Sequence, residues 1–548
     1  MNALSKRSAM LWLALLVAVG TWLRVHGVDA YHYHADELMH IGIAQGKNLR
    51  QVWQFSLMET HPPLGHILRH YWQMLGDSVQ FTRGFSLLFG LALIPLYYVT
   101  GKKLGGQFCG ICAAILITFS QGCIVESYVV RNYTLFLCLL TAAFYAYLAW
   151  RENRKTSWLI AYSLCAGLAC FTHFSGIFTA LCLFAYELSC MLQSKIPRRE
   201  AANWLLANSI PAMLFWSAYL LWQPALAPVD ALARQEMASQ NIWEQIALLP
   251  SYIISVISYI FPGWPFIFLL VLALIPVING KNTVLKSTLA LAGTTLCFAA
   301  ALWISRAYPF AGDRHSLWML PLLAIPMGWL LAEGLQYYNR HLRFFNIIIA
   351  LTLFTLGLQC ANPIYRFDDQ TEYGMTETEW RQVSAYLQSL GPDSLIVMGR
   401  TDAIMLAPSN LQMYAELGDS NPRNISALAA LMPYYRTTLL WNNRRDMRIY
   451  KDSMLLAMLE QAKNAGILNR FTHLVFVNTY LNSAPMMHLI ECNALDKQIT
   501  TFPALASATP LAGAEMHKYP VIFVAVKKDD FLNEVLSPIG KAHHCLAQ

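Results

Sequence analysis

The stretch FTRGFSLLFGLALIPLYYVTGKKLGGQFCGICAAILITFS, residues 81–120, decides the fold. Apolar runs at 82–100 and 107–122 flank a turn, Gly101-Lys102-Lys103-Leu104-Gly105-Gly106. Each run is roughly as long as a bilayer's hydrocarbon core requires, about 20 residues. Each is apolar all round, as a helix in lipid or deep in a core must be. Similar runs recur at 9–27, 129–150, 157–175, 177–194, 202–222, 251–279, 287–305, 316–335 and 343–360. So many runs in one chain predict a polytopic α-helical membrane protein with about eleven transmembrane helices.

Composition agrees. The chain of 548 residues is 56% hydrophobic and 13% charged, where a soluble domain carries about a quarter charged residues. Charge is uneven. Residues 1–360 hold 23 Lys and Arg against 14 Asp and Glu; residues 361–548 hold 16 against 18. Two domains follow: a transmembrane domain over 1–360 and a soluble α/β domain over 361–548. In the latter, 394–399, 437–441, 473–478 and 521–526 read as strands, and 376–390 and 452–465 as helices. Ten of the twelve Cys precede Asn362, where they read as small core residues; Cys492 and Cys545 are a candidate disulfide in the tail. Residues 1–28 read as a retained first helix, with no small-residue cleavage site after the apolar run.

The short loops set the orientation. Lys6/Arg7, Lys102/Lys103, Arg151/Arg154/Lys155, Lys195/Arg198/Arg199, Lys281/Lys286 and Arg340/Arg343 all fall on one side. That side is cytoplasmic by the positive-inside rule, and so is the N-terminus. An odd number of spans puts the tail outside, in the periplasm if the membrane is a bacterial inner membrane.

The other side carries the chemistry. Its first loop, 29–81, is too long for a connector. It contains Tyr31-His32-Tyr33-His34-Ala35-Asp36-Glu37-Leu38-Met39-His40 and then His61-Pro62-Pro63-Leu64. Three readings of Asp36-Glu37 stand side by side: the wet start of a helix, a catalytic carboxylate, or part of a divalent-metal site with His32, His34 and His40. If the segment is helical, Asp36 and His40 share a face. His61-Pro62-Pro63 is a rigid turn, and residues 64–75 form an amphipathic stretch for the membrane interface, with Tyr71 and Trp72 at headgroup level. Glu126 and Arg131, near Tyr133, are either an interfacial ion pair or a phosphate site in which Arg131 supplies a planar fork. Arg314 ends a polar loop, 306–315, that is a plain connector or part of the same site. His173 is a packing histidine or a site residue. There is no P-loop, dinucleotide turn or Cys-pair zinc motif, and nothing points to nucleic acid.

These loops, in this order, resemble the membrane-embedded GT-C glycosyltransferases, in particular the bacterial relatives of protein O-mannosyltransferases and the lipid A aminoarabinose transferases. Asp36-Glu37 matches the pair that opens that family's first external loop. His61–Leu64 matches its His/Lys-Pro-Pro-Leu turn, Arg83 and Ser86–Gly90 its second helix start, and Gly101–Gly106 its basic turn. Glu126, Arg131 and Tyr133 match its acid-Arg-Tyr series. Arg314–Pro321 is similar, more weakly, to an Arg-Tyr-x-x-Pro start. The likeness is densest over 30–150.

The resemblance implies a polyprenyl-phosphate-linked sugar donor, a lipid, glycan or protein acceptor, and inversion at the anomeric carbon. It implies Asp36 as general base, with Glu37 orienting the site or helping to hold a metal. Arg131, Arg83, His61 and Arg314 would bind the donor phosphate, with Glu126, Tyr133, His40 and His173 in support. His61 stands where the aminoarabinose enzymes carry Lys, and Met39 where they carry Arg; both departures argue against that particular substrate. The competing classes are a transporter or flippase for a lipid-linked glycan, and a non-catalytic assembly protein.

Overall fold

The computed structural model describes residues 5–26, 35–57 and 61–341, with short breaks at 77, 194–196, 239–241, 262–263, 280–281 and 310–311, and beyond them chiefly five strands. The chain divides into two compact units, residues 1–28 with 56–367, and 29–55 with 368–548.

The first unit is helical. α1 is Lys6–Val25, α4 Leu64–Gln73, α5 Val79–Phe119, α6 Gln121–Tyr128, α7 Tyr133–Asn153, α8 Thr156–Cys170 and α9 Gly176–Gln193. Then come α10 Arg198–Ala238, α11 Ile242–Ile260, α12 Trp264–Asn279, α13 Thr283–Ile304, a 3-10 helix Arg314–Met319 and α14 Leu320–His341. Eight of the described helices are long and apolar enough to cross a bilayer; α8 and α12 are shorter apolar helices.

The stretch at 81–120 folds back on itself within α5. Gly105 and Gly106 leave helical backbone values, and Gly106 takes φ +84°, where a side chain is strained. The two limbs then pack backbone to backbone. A Cβ on Gly110 would lie 2.5 Å from the Tyr98 carbonyl oxygen, and one on Gly101 2.9 Å from Ala113 Cβ. In lipid such close approach is the main source of helix–helix attraction. α14 uses the same surface: a Cβ on Gly328 would meet Ala113 backbone at 2.8 Å.

The predicted run 251–279 needs correction: it is two helices. α12 ends beside the start of α13, where Lys286 Nζ donates to the Ile278 carbonyl at 3.1 Å. α11 has its contacts at the opposite ends of the helices. Tyr252 lies 4.6 Å from Trp303, the penultimate residue of α13, which ends at Ile304. A Cβ on Gly312 would meet Ser255, and one on Gly122 would meet the Tyr259 ring at 2.5 Å. Tyr252, Ser255 and Tyr259 of α11 thus all have neighbours toward that end of the unit. The run 343–360 lies outside the described residues. α11 is itself apolar enough to span.

Two helix ends also move. The predicted 129–150 helix begins only at Tyr133, leaving Arg131 in a non-helical link. The predicted 157–175 helix stops at Cys170, so His173 sits in a tight turn before α9.

The basic loops meet at one end of the unit. Lys103 pairs with Glu152 there. Glu187, fully buried on α9, accepts the Tyr147 hydroxyl at 2.7 Å and pairs with Arg151 at 3.2 Å and Arg154 at 3.5 Å. Arg154 also reaches Glu200 on α10 at 3.5 Å. Trp150 and Trp204 stack beside this network at 5.2 Å.

The second unit contains α2, Ala35–Ala44, most of α3, Leu49–Ser56, and a five-stranded sheet ordered β2-β1-β3-β5-β4. The strands are β1 Ser394–Met398, β2 Leu439–Trp441, β3 His473–Asn478, β4 Lys497–Phe502 and β5 Val521–Lys527. β2, β1 and β3 run parallel; β5 is antiparallel to β3 and to β4. Four strands fall where the sequence predicts them. β4, KQITTF, is an addition: it is an edge strand whose polar residues lack an apolar run, as edges commonly do. The predicted helices 376–390 and 452–465, Cys492 and Cys545 lie outside the described residues.

Candidate active site

The site is assembled at the end of the first unit opposite the basic loops. His61, Pro62 and Pro63 are buried and lead into α4. The turn is tied to the α8–α9 turn by the Leu64 amide, which donates to the Phe171 carbonyl at 3.2 Å. That bond brings His61 to His173, with ring centroids 5.0 Å apart and planes at 62°. Tyr133, the first residue of α7, completes the group, 6.2 Å from His61 and 5.3 Å from His173. Gly65 permits the assembly, because a Cβ there would meet the Asn132 side chain at 2.2 Å. Three residues scattered over 61–173 in sequence thus share one place.

Arg131 lies in the link between α6 and α7, and its carbonyl is the hub of a second group. It accepts from Arg69 Nη2 and from Ser86 Oγ, both at 3.1 Å. The Arg69 guanidinium also lies 4.7 Å over the Phe85 ring. Arg83, one turn before Ser86, is buried, as are Arg131 and Glu126. The Tyr259 hydroxyl, from α11, stands 3.5 Å from Glu126 Oε1.

Arg69 was not among the residues predicted from sequence. α4 is the amphipathic stretch expected at the interface, and Leu68, Tyr71, Met74 and Leu75 are indeed exposed on or just after it. Its polar face, however, is turned inward: His66, Arg69 and His70, at i, i+3 and i+4, are buried. The signal was present, since a helix with an apolar outer face in lipid must bury its polar residues. Arg24 is a further addition. Fully buried at the end of α1, it donates to the carbonyls of Ile117 at 2.9 Å and Thr118 at 3.0 Å, and to Ser127 Oγ at 3.1 Å. It thereby satisfies the last carbonyls of α5.

Arg314 opens the 3-10 helix, which α9 holds by a Thr179 Oγ1 bond to the Trp318 carbonyl at 2.8 Å. Asp313 caps that helix, accepting the His315 amide at 2.8 Å, with His315 Nδ1 at 3.2 Å. Burial alone would raise the Asp313 carboxyl. The His315 bonds and the charges of His315 and Arg314 outweigh it and hold the group below the usual carboxylate range. Tyr308, in the same loop, is pushed well above the usual phenol value by burial and by Tyr133, and it neighbours Ser175. This places the 305–313 loop against the Tyr133–His173 group.

Asp36, Glu37 and His40 lie on α2, in the second unit. The segment is helical, as the Asp36/His40 reading requires, and Glu37 and His40 are buried. His32, His34 and the Asp36 side chain lie outside the described residues. Among the described residues, no three His, Cys, Asp or Glu side chains form a metal-ligand group.

Residues 50–223 match the profile of the dolichyl-phosphate-mannose-protein mannosyltransferase family. No curated protein matches the chain along its sequence. Solved structures do match in three dimensions. ArnT from Cupriavidus metallidurans bound to undecaprenyl phosphate aligns with TM-score 0.51 at 14% identity, over 94% of this chain and 98% of that one. The Archaeoglobus fulgidus oligosaccharyltransferase in complex with zinc and sulfate aligns with TM-score 0.52 at 12% identity, over 88% of this chain and 69% of that one. The chain has the GT-C fold. The matched segment 50–223 contains the His61 turn, the α5 hairpin, Arg131 and His173, and so most of the site described above.

Proposed function

We propose that this GT-C protein transfers a sugar from a polyprenyl-phosphate donor to an acceptor hydroxyl at the non-cytoplasmic face of a bacterial inner membrane, with inversion. Asp36 takes the proton from the acceptor O–H. The acceptor oxygen forms a bond to the anomeric carbon, the bond from that carbon to the phosphate oxygen breaks, and its electron pair leaves with the polyprenyl phosphate. Glu37 orients the reacting groups, with His40 beside it on the same helix. Arg131, Arg83, His61 and Arg314 stabilise the charge that gathers on the leaving phosphate. Glu126 and Tyr133 hold Arg131 and the turn in place.

The observation that carries this reading is the buried cationic wall. Among the described residues of the first unit, this end buries Arg24, Arg69, Arg83 and Arg131 and one carboxylate, Glu126. Such charge in an apolar setting is costly, and it is usual where an anion must be received. ArnT, of the same fold, was captured with undecaprenyl phosphate. The test is purified protein in nanodiscs with a polyprenyl-phosphate sugar and extracted envelope acceptors. Loss of sugar from the lipid with gain on the acceptor supports the reading; movement of intact lipid-linked sugar between leaflets, with no bond broken, refutes it.

A further inference from the structure

His173 has a fixed proton arrangement, and the reason lies two residues away. The Ser175 backbone amide donates to His173 Nδ1 at 3.2 Å, and Ser175 Oγ stands 2.8 Å from the same nitrogen. A backbone amide can only donate, so Nδ1 must present its lone pair. The ring is then neutral with its hydrogen on Nε2; a hydrogen on Nδ1, as in the imidazolium, would face the Ser175 N–H. The turn that sets this up is rigid. The His173 amide bonds to the Ala169 carbonyl at 2.9 Å, Gly176 to the His173 carbonyl at 3.0 Å, and Phe178 to the Ser175 carbonyl at 3.1 Å. Ser175 is buried, with the Tyr308 side chain beside it.

The Nε2–H faces away from Ser175, among three rings. Phe136, 5.2 Å away, and Tyr133, 5.3 Å away, are both tilted and have no ring nitrogen to accept with; His61, 5.0 Å away and set edge to face, has one. We propose that Ser175 and His173 are positioning residues: Ser175 fixes His173 as the Nε2–H tautomer, and His173 donates to His61. His61, accepting on one nitrogen, then carries its own hydrogen on the other and presents it as a donor. A rigid Pro62-Pro63 turn aims that donor. If the transferase reading holds, on which this last step rests, its ligand is the phosphate of the lipid-linked sugar. The device lets a histidine do the directional part of a lysine's work at this turn.

The experiment is nitrogen-15 spectroscopy of the full chain in nanodiscs, labelled at histidine, with His173 assigned by its loss in His173→Gln. The wild type should show an unprotonated, hydrogen-bonded Nδ1 and a protonated Nε2 for His173. Ser175→Ala removes the hydroxyl and keeps the amide, so the Nδ1 resonance should move part of the way toward that of a free lone pair with the hydrogen still on Nε2, and Ser175→Thr should return it. A wild-type Nδ1–H, or a resonance unmoved in Ser175→Ala, overturns the proposal. In transfer assays His173→Phe should raise KM for the lipid-linked donor about tenfold, the usual effect of leaving a buried acceptor unsatisfied, while His173→Gln, which keeps an N–H, should stay closer to wild type. Equal losses in the two variants would overturn the donation to His61. Should the tautomer be found in a protein that transfers no sugar, the transferase reading fails and the Ser175–His173 assignment stands.

Discussion

The two ends of the helical unit bury charge in different ways. At the basic end Glu187 sits between Arg151, Arg154 and the Tyr147 hydroxyl, and Arg154 continues to Glu200. Acid and base cancel there, and the network joins α7, α9 and α10. At the opposite end Arg24 and Arg69 direct guanidinium bonds to main-chain carbonyls, which fix where each guanidinium lies. The first arrangement locks helices together. The second gathers arginines at an end where water is scarce, the setting in which a bound phosphate would be held most strongly.

This contrast can be broken or sharpened by substitution. The largest effect belongs to Asp36→Asn, which should cut sugar transfer by about 10²- to 10⁴-fold while donor binding persists, as loss of a general base does; a wild-type rate in normally inserted protein would remove Asp36 from the mechanism. Next is Arg131→Ala, with an expected loss of about 10²-fold in kcat. Arg131→Lys should recover only part, because a lysine lacks the planar fork. A change in KM alone would show that Arg131 binds donor and transition state equally.

At the basic end the expectation reverses. Glu187→Ala should destabilise the protein by about 3 kcal/mol, since it leaves buried arginine charge behind, and turnover per folded molecule should hold. Thermal unfolding and rate, measured on one preparation, separate the two; a folded Glu187→Ala protein with lost turnover would erase the contrast between the ends.

The smallest effect is acid-dependent. Asp313 has a folded-state value below its unfolded one, near 3.9. Its contribution is therefore complete above that unfolded value and is lost as pH falls through the folded value. Asp313 is partly exposed, so solvent screening keeps the effect under about 1 kcal/mol. Melting curves of Asp313→Asn should lack this acid limb; an identical limb in both proteins would assign it elsewhere.

Much of the architecture was legible in the sequence because hydropathy and loop charge report directly on a bilayer. The α5 hairpin, its basic turn and most helix positions follow from these alone. α11 was not legible as a separate helix, since residues 251–279 read as one apolar run. Hydropathy also hid Arg69, whose helix reads as an interfacial one until its polar face is found inside. Glu187 lay in plain view as a lone acid within an apolar run, a signal that the span assignment absorbed. His61, Tyr133 and His173 were individually suspect, but only the Leu64–Phe171 bond between two turns makes them neighbours. β4 lacked an apolar run because edge strands do not need one.

The central claim is that the cationic end serves bond-making on a lipid-linked sugar. Mass spectrometry of envelope glycans, lipids and proteins from cells with and without the gene tests it most directly. The account predicts that one acceptor loses a single sugar and that the polyprenyl-phosphate donor accumulates on the outer leaflet. Unchanged acceptors, or donor held on the inner leaflet, would contradict it.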